Sequence, residues 1–63
     1  MKLADVVDRL AAADHELVRL EALRALAQKN GDSAAVTRLA EEIDQVRNTR
    51  DDLRDQLKTF GAG

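Results

Sequence analysis

The sequence predicts an all-α antiparallel two-helix hairpin, and three observations carry that prediction. Each half of the chain places apolar residues at alternating three- and four-residue steps, the spacing that draws one narrow apolar seam along an α-helix. A single cluster of turn-forming residues, Asn30-Gly31-Asp32-Ser33, lies between the two seams. Composition agrees: of 63 residues, 35% are charged and 2% aromatic, Pro is absent, and Gly is confined to positions 31, 61 and 63. That is the make-up of a helix-rich bundle, and strands have almost no support.

The first helix is expected from Leu3 to about Lys29, with Leu3, Val6, Leu10, Ala13, Leu17, Leu20 and Ala27 in its seam and Arg24 among them. Its start lacks a strong side-chain cap. Asp5 and Asp8 still bring negative charge to the first turns, where the helix dipole favours it, and Asp5 stands four residues before Arg9, a pairing distance. The first turn is expected to fray.

At the turn, Gly31 suits the left-handed conformation that ends a helix, and Asp32 or Ser33 suits the cap of the next one. A single uninterrupted helix is the competing arrangement. It would hold Gly inside a helix at about 1 kcal/mol and leave a good cap unused. The second helix is then expected from about Ala34 to Thr59, with Val36, Leu39, Ile43, Val46, Leu53, Leu57 and Phe60 in its seam, interrupted only by Arg50; residues 61–63 form a frayed tail.

Laid antiparallel, the seams match at every position. Leu3 opposes Phe60, Val6 Leu57, Leu10 Leu53, Ala13 Arg50, Leu17 Val46, Leu20 Ile43, Arg24 Leu39, and Ala27 Val36. The turn residues lie where this register needs them, so local and long-range signals agree.

Sixty-three residues make one small domain, in a range where burial by a single chain barely offsets the conformational entropy of folding. With no Cys and one His, neither a disulfide nor a structural zinc is expected to supply the difference, which leaves self-association or a partner helix. A net charge of -2 with interleaved signs disfavours general nucleic-acid binding. No apolar run has transmembrane length, and Met1-Lys2-Leu3-Ala4-Asp5 lacks the features of a signal peptide, so a cytoplasmic location without membrane contact is expected.

Helix one is apolar over a wider arc than helix two. Val7, Ala11, Val18, Ala22 and Ala25 form a second stripe that a hairpin does not consume, and its expected role is to bury against another chain. If helix one packs antiparallel on its own copy, Val7 meets Ala22 and Ala11 meets Val18 about a two-fold axis near Asp14 and His15. The result is a homodimeric four-helix bundle. The bland alternative for the stripe is a run of alanines favoured for helix propensity.

Arg24 and Arg50 occupy seam positions where Leu would stabilise more. Either they select register or partner, or their aliphatic stems lie along the seam and lift the guanidinium groups to water. Ala13 leaves room for Arg50, and Asp14 is expected to supply its counter-charge. His15 has Ala11, Ala12, Val18 and Arg19 at helical neighbour spacing, which is no setting for a metal or a proton-transfer pair. Within a dimer it would approach Asp14 of the copy and confer a weak pH dependence.

The acids of helix two alternate with Arg38, Arg47, Arg54 and Lys58 as on a solvated face, with pairs such as Arg47 and Asp51. The sequence holds no nucleophile arrangement, phosphate loop or cofactor motif, so no catalytic, cofactor or metal site is expected.

Asp14-His15-Glu16-Leu17, Leu39-Ala40-Glu41-Glu42-Ile43-Asp44-Gln45 and the closing Phe60-Gly61 resemble a family of small actinobacterial proteins of unknown function and helical character. This chain has Val46-Arg47 where that family's pattern has Cys-Trp, and the resemblance implies no activity. The hairpin architecture is also similar to that of the Rop-type plasmid copy-number regulators, whose dimeric four-helix bundles bind paired RNA loops. RNA binding would need a basic or polar platform with a stacking ring on helix one, where this sequence places Asp8, Asp14, Glu16 and Glu21 among Arg9 and Arg19. The leading expectation is a non-enzymatic assembly or regulatory module acting through homodimerisation or a helical partner.

Overall fold

The computed structural model describes residues 2–62, which form two helices, α1 (Leu3–Lys29) and α2 (Ser33–Ala62), folded back on each other as a hairpin. The result is a rod of 49 × 14 × 14 Å. Helix α1 starts without a side-chain cap: Lys2 is extended, and the first turn closes through the Val6 N–H donating to the Lys2 carbonyl at 3.1 Å. Helix α2 begins one residue earlier than the sequence implies and continues past Thr59 through Gly61, which does not adopt positive φ. Gly alone lowers helix propensity by about 1 kcal/mol but does not terminate a helix unless the backbone turns left-handed. The helix thus includes the first two residues of the expected tail, and the last, residue 63, lies outside the described residues.

The turn is a Schellman motif. Gly31 sits at φ 71°, its N–H donates to the Gln28 carbonyl at 3.1 Å, and the Asp32 N–H donates to the Ala27 carbonyl at 2.9 Å. Asp32 then turns outward as the cap of α2, its carboxylate Oδ1 accepting from the Ala35 N–H at 3.1 Å. One residue closes the first helix with its backbone and opens the second with its side chain. Ser33, the other cap candidate, is the first residue of α2, and its carbonyl accepts from the Thr37 hydroxyl. Asp32→Ala is expected to lower stability by about 1 kcal/mol, read as a lower urea midpoint with an unchanged slope, while Asp32→Asn, which keeps the acceptor, retains most of it.

Burial reproduces the seam register. Val6, Ala13, Leu17, Leu20 and Ala27 of α1 and Leu39, Ile43 and Leu53 of α2 are buried, and Leu10, Val36, Val46 and Leu57 are partly buried. Leu20 and Ile43, which the register sets opposite each other, are fully buried. The continuous core is the turn-proximal cluster of Leu17, Leu20, Ala27, Leu39 and Ile43, with Ala35, Val36 and Val46 packed on it. Val6 and Leu53 are buried on the far side of the Ala13 and Arg50 level, outside that cluster. At the open end the seam loosens: Leu3 and Phe60, the terminal pair of the register, are both exposed, because no further turn of helix covers them.

Candidate assembly surface

Helix α2 leaves two flanks of α1 uncovered. In a seven-residue repeat the residues just beside the seam fall on its two sides alternately. One flank carries Val7, Ala11, Asp14, Val18 and Glu21, with Ala22 at its outer edge, and the other carries Arg9, Ala12, Glu16, Arg19, Leu23 and Leu26. Every residue of the stripe singled out by sequence is exposed, with Val7 46% and Val18 67% accessible, and so are Asp14 and His15 at the expected axis. Leu23 and Leu26, which sequence reasoning passed over, are 39% and 54% accessible and bring larger apolar side chains to the opposite flank. Their signal was present in the repeat: they continue the Ala12, Glu16, Arg19 line at helical spacing. Helix α2 has no such surplus, and its one exposed large apolar side chain among the described residues is Phe60.

The flanks differ in what fills the groove beside the seam. On the valine flank the groove is lined by Asp14, Leu17, Val18, Glu21, Arg47 and Arg50, four of them charged. Arg47 Nη2 and Glu21 Oε1 span it at 3.4 Å, the only ion pair between the helices among the described residues. On the leucine flank the groove is lined by Ala12, Ala13, Val46 and Leu53, with Thr49 and the rim residues Arg9 and Glu16. A shallow third depression, at the turn, involves Gln28, Gly31, Asp32, Ser33, Val36 and Thr37.

Three expected ion pairs do not form, and two of the arginines take other partners. Arg47 meets Glu21 instead of Asp51, and Asp51 instead accepts from Arg50 at 3.4 Å and Arg54 at 3.5 Å. Asp5 and Arg9 do not pair, and Asp14 does not reach Arg50.

Both seam arginines are half-buried. The Arg50 side chain is 28% accessible, and although one terminal nitrogen reaches Asp51, its Nε is buried with no hydrogen-bond partner. The stem of Arg50 therefore lies in the seam without carrying the whole guanidinium to water. Glu16 and Arg19 form a two-pronged pair on the leucine flank. The hydrogen bond from Arg19 holds the Glu16 carboxyl below its ordinary range, an effect present at neutral pH and lost as pH falls through that lowered value. Because both groups are exposed, the pair contributes little to folding.

Among the described residues no cluster of three or more His, Cys, Asp or Glu is arranged to hold a metal, and no helix is long and apolar enough to cross a membrane. No family model matches this chain, and no curated protein or solved structure is significantly similar to it.

Proposed function

We propose that this chain is a non-enzymatic assembly module that works by pairing with a second copy of itself, four helices forming one bundle. The observation that carries the reading is an apolar surplus on the first helix: Val7, Val18, Leu23 and Leu26 stand exposed on the flanks of α1, while α2 presents a charged outer face. A hairpin of this size gains little from its own narrow core, and covering such side chains is the remaining source of stability. The grooves support the same reading, since they are shallow channels beside the seam and the catalytic chemistry of a carboxylate needs an enclosing cleft. Arg24 and Arg50 would then serve as register markers within the pairing. A helical partner from another protein would use the same surface.

RNA binding of the Rop type is the weaker alternative. The exposed surface of α1 mixes Asp8, Asp14, Glu16 and Glu21 with Arg9 and Arg19, and the chain's single aromatic residue, Phe60, stands at the open end, away from any platform on which bases would stack. Sedimentation equilibrium tests the main reading. The expected result is a concentration-dependent species of twice the chain mass; a protein that stays monomeric at millimolar concentration overturns it.

A further inference from the structure

Building on that self-association, we infer that the second copy docks on the leucine flank, with Leu23 of each chain seated in the other's groove between Ala12, Ala13, Val46 and Leu53. Three features point to this face.

The first is symmetry of the pattern. When the line Arg9, Ala12, Glu16, Arg19, Leu23, Leu26 is laid antiparallel on its own copy, Arg9 meets Leu26, Ala12 meets Leu23, and Glu16 meets Arg19. Large side chains fall on small ones, the aliphatic stem of Arg9 lies on Leu26, and the axis passes between two acid-base contacts. The second feature is the groove. Its lining residues occupy the levels of Arg9 to Glu16 along α1, and the same antiparallel register brings the partner copy's Leu23 to Ala12, at the middle of that span.

The third is electrostatic. On the valine flank four of the six side chains lining the groove are charged, and the groove is already bridged by Arg47 and Glu21. Docking on that side would disturb the Arg47–Glu21 pair, whereas docking on the leucine flank sets Glu16 and Arg19 of the two copies against each other as opposite charges, a ring of alternating charge about the axis.

A charge-swap experiment separates this geometry from any role of Glu16 and Arg19 within one helix. In Glu16→Arg, arginines face each other across the axis; in Arg19→Glu, glutamates do. Each variant alone is expected to self-associate about tenfold more weakly than the wild type, two like-charge contacts replacing two opposite ones. A 1:1 mixture restores opposite charges at both contacts and is expected to form a heterodimer tighter than either homodimer, although each chain still carries its own intrahelical repulsion. Leu23→Asp, at an exposed site and with helicity verified by circular dichroism, is expected to be monomeric. A wild-type dimer that survives Leu23→Asp and is lost in Val18→Glu overturns the leucine-flank geometry and leaves self-association standing, as does a mixture that pairs no better than its components. A wild type that never dimerises removes the proposed function itself.

Discussion

Ile43→Ala is expected to leave the chain largely unfolded at room temperature. Ile43 is among the most deeply buried side chains, faces Leu20 in the seam register, and belongs to the one continuous apolar cluster. Truncating a buried Ile to Ala removes about 2–5 kcal/mol, the lost transfer energy together with the cavity left behind. A single core in a chain this short supplies only about 3–5 kcal/mol, so the substitution consumes most or all of the margin. The measurement is helicity by circular dichroism across a urea titration: the wild type shows a cooperative transition and Ile43→Ala shows none. Retention of a cooperative transition near the wild-type midpoint would mean that the stability resides elsewhere, in the open-end residues Val6 and Leu53 or in the proposed self-association.

Arg50→Leu is expected to act in the opposite direction. The Nε of Arg50 is buried without a partner, and a buried donor left unsatisfied costs about 1–3 kcal/mol. The contact with Asp51 offers little in return, since Asp51 is largely exposed. Leucine at this level would remove the orphan donor, fill the space beside Ala13, and join Val6 and Leu53 to the turn-proximal cluster. A gain of about 1–2 kcal/mol is expected, raising the melting temperature by about 4–8 °C per kcal/mol in a domain of this size. If Arg50 also marks the register, the more stable variant is less uniquely folded, visible as doubled or broadened amide resonances under conditions where the wild type gives one set. A destabilised Arg50→Leu would show instead that the packing of the arginine stem outweighs the unpaired donor.

The three-and-four spacing of Val36, Leu39, Ile43 and Val46, and of Val6, Leu10, Ala13 and Leu17, was sufficient to predict two helices, their facing sides and their antiparallel register. Helical periodicity depends on backbone geometry alone, and each of these residues is buried or partly buried as that geometry requires. The reversal at Gly31 was equally legible, because a left-handed helix end has few other hosts; the structure places Gly31 at φ 71° with open space where a Cβ would stand. What periodicity does not encode is the coverage of each remaining line on a helix. Val7, Val18, Leu23 and Leu26 are all apolar and all off the seam, and only the packed hairpin distinguishes the flank whose groove is bridged by Arg47 and Glu21 from the flank whose groove is apolar. Ion pairing escaped the sequence for a related reason. Whether Arg47 turns to Asp51 along its own helix or to Glu21 across the gap depends on interhelical distance and side-chain reach, which are properties of the pair of helices and not of either one. Local spacing thus determined the hairpin, and tertiary packing decided which of its surfaces is left uncovered.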